Sequence, residues 1–334
     1  MTSELSFWVC APNTDFPCAL DIINLILEPI GISLNVWVLH MLCRLRGKTL
    51  TSLTLLRTLT CTALLTLLMN FIEDVYPFPL STDSYVFNRI ACYVWYSRFF
   101  YWIFVVMGGL VLTYFTANRA IQIVCKYQFA YSSSQAVELG SVAAIVVFSA
   151  LLTLPQAITV QTDGKRCICF EKPIKIPNVV WTFTEVYLFF SVLLVLNGII
   201  LTFSCVKVLR WMHQTPRDSQ IDTVNSVCFP GTPTELVERF ANCRGWKTAS
   251  VCMVPLSVSY VICFAYDSIY QFICATGLCT YVIHSPAQKF GGTLLILHAV
   301  NVPIILLIFI PALRHEACLL KSRFANAVRR SAQA

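Results

Sequence analysis

The stretch IINLILEPIGISLNVWVLHMLC, residues 22–43, holds one acidic residue, Glu28, and no Lys or Arg in 22 positions. Arg44-Leu45-Arg46-Gly47-Lys48 follows it at once. About 20 consecutive apolar residues are what an α-helix needs to cross the hydrocarbon core of a bilayer. A basic cluster just beyond such a run marks the end that stays in the cytoplasm. Both readings point to a membrane-spanning helix, and the rest of the 334-residue chain repeats the pattern.

Six further stretches qualify: Leu53–Ile72, Phe99–Ala117, Leu139–Val160, Val179–Val206, Ala249–Cys274 and Phe290–Ala312. Polar or turn-rich breaks separate them, such as Tyr76-Pro77-Phe78-Pro79, Ser132-Ser133-Ser134 and Pro230-Gly231-Thr232-Pro233. Composition agrees. The chain is 57% hydrophobic and 12% charged, where a soluble domain carries about 25% charged residues. Mean hydropathy is +0.69. A water-soluble fold lacks the polar residues to cover so much apolar surface, and a chain this apolar does not stay disordered. The sequence therefore predicts an all-α bundle of seven transmembrane helices over residues 19–312. An extracellular segment, 1–18, precedes it, and a cytoplasmic amphipathic helix and tail, 313–334, follow.

Orientation comes from the basic residues. With the N-terminus outside, the inner segments 44–50, 119–136, 207–247 and 313–334 hold 16 Lys and Arg. The outer segments 1–18, 76–91, 161–178 and 276–289 hold 6. Positive residues accumulate inside, so the N-terminus is expected outside and the C-terminus inside, with 207–247 as the long inner loop. The first 18 residues lack Lys and Arg, so no cleavable signal peptide is read and the first span serves as its own targeting signal. The net charge of +7 is explained by these loops and implies no nucleic-acid partner. The 16 cysteines are spread through spans as well as loops, unlike a small disulfide scaffold.

Particular residues in these spans carry a resemblance. The first reads Gly31-Ile32-Ser33-Leu34-Asn35-Val36-Trp37-Val38-Leu39. The third opens with Cys92 and closes Thr116-Ala117-Asn118-Arg119-Ala120; the loop after the fourth holds Cys167-Ile168-Cys169. The fifth ends Val206-Lys207-Val208-Leu209-Arg210, and the sixth contains Cys263-Phe264. The seventh contains Asn301-Val302-Pro303, before Ala312-Leu313-Arg314-His315-Glu316-Ala317-Cys318. In this order the chain resembles a divergent rhodopsin-like G-protein-coupled receptor over residues 20–322, in the manner of an invertebrate orphan receptor. The resemblance implies that Asn35 bonds the first, second and seventh helices together, with Asn301 and Pro303 as structural residues of the seventh. It implies a disulfide from Cys92 to Cys167 or Cys169, the remaining one being left for Cys10 or Cys18. It places Asn118 and Arg119 at the position that couples to a heterotrimeric G protein, and residues 313–319 in a short eighth helix.

The chain also departs from the family. Asn118 replaces the acidic residue before the arginine, and Ala120 the tyrosine after it. Thr62 stands where the second helix carries a sodium-binding Asp, and Tyr266 where the sixth has its proline. The fifth span lacks its proline, with Asn197-Gly198 as the expected irregularity, and the interval from Cys92 to Arg119 is slightly long. With Asn118 beside it, Arg119 is expected to have no carboxylate partner, which implies raised basal signalling or weak coupling. The plainer reading of Arg119 is an interfacial anchor.

Ionisable groups within spans cost about 2.5–3.5 kcal/mol at the bilayer centre, so they are functional candidates. Glu28, Asp74, Arg98, Glu185, Asp267 and His298 qualify, unless they lie close enough to the interface to be solvated. Asp267 and Tyr270 share a helix face. Tyr101, Trp102 and Phe264 join them as candidate ligand contacts, although aromatic residues in spans are more often packing. Cys274 and Cys279 read as a loop-closing disulfide on the oxidising side, or Cys274 as a buried thiol. Cys318 reads as a lipidation site or an ordinary cytosolic thiol. In amine receptors the third helix carries an Asp; Arg98-Phe99-Phe100-Tyr101-Trp102 occupies that region here, which disfavours an amine. The alternating loop Lys165–Lys172 suggests a hairpin lid, which favours a peptide ligand such as a neuropeptide. No zinc-protease, nucleophile-elbow or phosphate-loop motif occurs, so no enzyme, cofactor or metal is expected. The reading is thus a plasma-membrane receptor in contact with lipid, its ligand and a G protein. The alternatives are a polytopic transporter, against which the lack of internal symmetry counts, and a chemosensory seven-helix receptor with non-standard coupling.

Overall fold

A computed structural model describes residues 8–10, 17–45, 51–76, 82–124, 135–158, 160–163, 166–169, 176–214, 251–310 and 313–319. Seven of its helical segments are long and apolar enough to cross a membrane: Ala19–Arg44, Leu53–Val75, Tyr85–Ile121, Ala136–Ala157, Val180–Gln214, Met253–Ala275 and Pro286–Phe309. These are spans one to seven, and the chain is a multi-pass, all-α bundle. Residues 1–7, most of the inner loop (215–250), Pro311, Ala312 and the tail 320–334 lie outside the described residues.

Span one shows why such a sequence folds this way. Its buried residues are Asp21, Asn24, Glu28, Gly31, Asn35, Val38, Met41 and Leu42. The spacing of three and four places them on one helical stripe. Ile22, Ile26, Ile30 and Trp37 are exposed. Polar residues point in and large apolar ones point out, the inverse of a helix in water. A lipid environment makes that arrangement favourable, because the helix satisfies its own backbone groups and presents only hydrocarbon.

The spans close into a ring. Span one packs on spans two and seven, five packs on six and six on seven; span three sits centrally against two, four, five and six. Val106, Leu112, Phe115, Leu193, Leu256, Phe264 and Ile296 belong to the shared core. Two glycines set close approaches. A Cβ on Gly31 would meet Val300 at 2.7 Å and Leu67 at 2.8 Å. The contact lets Asn35 Nδ2 donate to Gly31 O at 2.8 Å and across to Ala299 O on span seven at 3.2 Å. A Cβ on Gly109 would meet the Tyr260 ring at 2.7 Å. A bare backbone there admits that ring from span six, and Tyr260 OH donates to Leu193 O of span five at 3.3 Å.

Three spans differ from the sequence expectation. Span three starts earlier than Phe99: a helix over Tyr85–Ile90 runs into a π turn at Ala91–Tyr96, breaks, and resumes at Phe99–Val124. The wide turn and the break absorb the long Cys92-to-Arg119 interval. In span five the irregularity is a π turn at Phe189–Leu196, not Asn197-Gly198, which begins regular helix. Span five also continues past Val206 to Gln214, because Val208 stays buried while Lys207 and Arg210 point outward. Hydropathy alone counts those two charges as loop. Span four ends at Ala157, where Pro155 lies in a 3-10 turn, and Val160 already belongs to a strand. A proline withholds a backbone donor and stops the regular helix.

Two short ribbons cover one end. Strand β1 (Trp8–Cys10) pairs in parallel with β4 (Tyr281–Ile283), and β2 (Val160–Asp163) pairs antiparallel with β3 (Arg166–Cys169). The β2–β3 pair is the hairpin between spans four and five. Disulfides join Cys92 to Cys167 and Cys274 to Cys279. The first ties the π turn of span three to β3; the second closes the loop between spans six and seven. The backbone of Cys169 lies on β3, and its side chain falls outside the described residues.

Candidate functional site

Near the disulfide end, span three breaks at Ser97–Arg98, and Arg98 takes φ +58°. Left-handed backbone costs a non-glycine residue about 1–3 kcal/mol and persists where surroundings over-determine it. Here the surroundings are side chains from spans two and three. Arg98 Nε lies 2.8 Å from Glu73 Oε2, and its Nη2 donates to Asn70 Oδ1. The guanidinium sits 4.3 Å from the centre of the Tyr101 ring, a contact worth about 0.5–2 kcal/mol as it is desolvated.

The web continues from Asn70. Its Nδ2 donates to Glu28 Oε1 of span one at 2.6 Å and to Asp74 Oδ2 at 3.1 Å. Asn24 bonds Asp74 and accepts from Thr293 Oγ1 of span seven at 2.9 Å. Lys289 Nζ pairs with Asp21 at 2.7 Å, and Asp21 also accepts the backbone N–H of Cys18. In span six, Asp267 accepts Gln271 Nε2 at 2.7 Å and Tyr281 OH at 3.4 Å. The Arg98 charge also acts on Asp267 and Tyr281. One arginine thus links polar groups from five of the seven spans. Met69, Glu73, Trp95, Arg98, Phe100 and Tyr101 border a small, partly open cleft beside it.

Two titratable groups outside the spans feel the web. Burial first, and then the Asp267 charge, hold the Tyr281 hydroxyl well above the usual tyrosine range, although Arg98 opposes this. Tyr281 therefore remains a donor. His284 adopts φ +65°. Burial pushes its imidazole below the ordinary value of 6.5, and the positive charges of Arg98 and Lys289 add to the shift against Asp21. Above this level, Trp8 of β1 packs with Cys274 and Tyr281, and Tyr270 lies 5.2 Å from the Tyr281 ring.

The structure brings Arg98, Tyr101, Asp267 and Tyr270 together around Tyr281. Trp102 is next to them, edge-on to Tyr101 at 5.4 Å and tilted against Phe189 at 5.7 Å. Phe264 is deeper, stacked on Tyr260 at 5.3 Å. His298 is deeper too: its Nδ1 shares a 3.0 Å hydrogen bond with Ser259, which accepts Asn301 Nδ2 at 3.5 Å. Pro303 is buried within the same helix. Glu185 is separate, buried against span four where Gln156 bonds it. Asn70, Glu73, Gln271, Tyr281 and Lys289 belong to the web without having been singled out in the sequence. Asn70, three residues before Glu73 in an apolar run, is the signal that could have exposed the polar face of span two.

The other end of the bundle has a smaller arrangement. Arg119 is 1% exposed and lies beside the Phe115 ring. Glu138 of span four is fully buried, and among the described residues neither of its oxygens has a hydrogen-bond partner. The Arg119 charge acts on its carboxyl, with Thr54 of span two nearby. The acidic group that feels Arg119 thus lies on a neighbouring span and not at the preceding residue. Arg57 holds the end of span one, donating to Leu42 O and Leu45 O at 2.8 and 3.1 Å. Residues 313–319 are helical, with Cys318 exposed.

What the disulfide-end web offers is a fixed electrostatic surface. Among the described residues no group of His, Cys, Asp and Glu is placed to hold a metal ion. Compared with models of known protein families and with curated protein sequences, the chain finds no match.

Proposed function

We propose that the chain is a seven-span receptor of the rhodopsin-like type, with the disulfide end outside the cell and residues 313–319 in the cytosol. Seven apolar helices suit a membrane receptor or a transporter. The observation that carries the receptor reading is the Cys92–Cys167 bond, which pins the β2–β3 hairpin to the start of the central span. The Asn35 bond from span one to Ala299 of span seven supports it, as does a buried Arg119 at the far end of the central span. Disulfides persist in oxidising compartments, and the basic excess lies at the opposite end.

In this reading an extracellular peptide binds over the Arg98 web and its β-ribbon cover. It binds one packing of span six more tightly than the other, and that difference in affinity shifts the population. At the cytosolic end, movement of span six away from Arg119 opens a surface for a heterotrimeric G protein at the plasma membrane. The test is a nucleotide-exchange assay on membranes carrying the full chain, challenged with a peptide library, beside an uptake panel in the same cells. Ligand-dependent exchange is expected. Uptake without exchange would replace this reading with a transporter.

A further inference from the structure

Two carboxyls in the disulfide-end web meet at one amide. Asn70 Nδ2 donates to Glu28 Oε1 at 2.6 Å and to Asp74 Oδ2 at 3.1 Å. The oxygens of two acidic side chains, from spans one and two, therefore lie against a single nitrogen. The other face of that amide is occupied, since Asn70 Oδ1 accepts from Arg98. The cations nearby have closer commitments. Arg98 is paired with Glu73 at 2.8 Å, and Lys289 with Asp21 at 2.7 Å. Glu28 is 0% exposed, and its second oxygen, Oε2, is buried without a hydrogen-bond donor. An ionised carboxylate with an orphaned oxygen in an apolar interior is strongly disfavoured. Two carboxylates sharing one site cannot both ionise cheaply, and their protons belong to the pair.

We propose that Glu28 and Asp74 form a proton-binding site that holds one proton between them in the half of the bundle bearing the disulfides. With the proton on Glu28 Oε2, the orphaned oxygen becomes a donor facing the Asp74 carboxylate, and the pair carries one negative charge instead of two. The groups that face the pair are Asp21 and Asn24 of span one, Glu73 of span two and Arg98 of span three. Lys289 of span seven acts on it through Asp21, and Asp267, Tyr281 and His284 connect through Arg98. Asp74 is only half-buried, so it gives the proton its exit. When the proton leaves to water, a second negative charge appears across Asn70 from Arg98 and competes with Glu73 for the guanidinium. The proton thereby governs the partner of Arg98, and with it the Glu73–Arg98–Tyr101 side of the cleft.

The test needs no receptor activity. Infrared spectra of the purified full chain in lipid nanodiscs at neutral pH are compared for the wild type, Glu28→Gln, Asp74→Asn and the double variant. The expected result is a carboxylic-acid carbonyl band, shifted by deuterium exchange, that Glu28→Gln loses in full and Asp74→Asn keeps at a changed frequency, because the buried Glu28 then has an amide in place of its carboxylate acceptor. The double variant should lose no more than Glu28→Gln. Retention of the band in Glu28→Gln overturns the proposal, as does an unchanged frequency in Asp74→Asn or a double variant that loses twice as much as Glu28→Gln. Glu28→Asp, which keeps both carboxyls should the neutral variants fail to fold, is expected to keep the band at a changed frequency. An unchanged frequency overturns the assignment.

Discussion

The two ends of the bundle handle buried charge differently. At the disulfide end, Asp21, Glu28, Glu73, Asp74, Arg98, Asp267 and Lys289 join in one web across five spans. At the opposite end, Arg119 and Glu138 are buried among spans two, three and four, with Thr54 as their polar neighbour. A web with many members has several ways to rearrange when one charge changes. Two enclosed charges have few. The first suits a surface that meets ligands; the second suits a switch.

The largest expected effect comes from removing the hub. Arg98→Met leaves the buried Asn70 Oδ1 without its donor and the partly exposed Glu73 without its cation, a combined cost of about 2–4 kcal/mol. Thermal unfolding of the purified protein measures this, and a change under about 1 kcal/mol would mean the web is solvated and the two ends are not so different. Next is Cys167→Ser, which frees the hairpin from span three. Losing a native disulfide costs about 2–4 kcal/mol, and the same melt should show it. At the other end, Glu138→Gln takes the counter-charge from Arg119. It is expected to raise ligand-free nucleotide exchange several-fold, while Asn118→Asp lowers it only slightly, because Glu138 already serves. Equal responses in the two variants would return the role to residue 118.

The smallest effect is a pH dependence. The folded-state pKa of His284 lies below its unfolded value of 6.5, so the unfolded chain binds the extra proton. Stability from this residue is present above about pH 6.5 and declines as pH falls towards the lowered value. Asn tolerates left-handed backbone, so His284→Asn should fold and flatten the melting temperature between pH 7 and 5. A wild-type curve already flat there would remove His284 from the web.

The seven spans were legible because hydropathy depends only on composition along the chain. Their ends were less so. Lys207 and Arg210 look like loop until Val208 is seen to be buried, and nothing local in Ala91–Tyr96 announces a π turn. The web was half legible. Arg98 and Asp267 stand out as charges in apolar runs, but Glu73 and Lys289 sit near span ends, where charges are ordinary, and Tyr281 lies on a loop strand whose partner is distant in sequence. Glu138 was missed for the same reason: it begins a span, and only packing shows it turned inward to Arg119.

Every role given to either end depends on which compartment that end faces. Epitope tags on the two termini of the full chain, probed by antibody in intact and then permeabilised cells, decide it. The N-terminal tag is expected to stain without permeabilisation, and the C-terminal tag only after it. Staining of both tags under one condition would contradict the seven-span receptor.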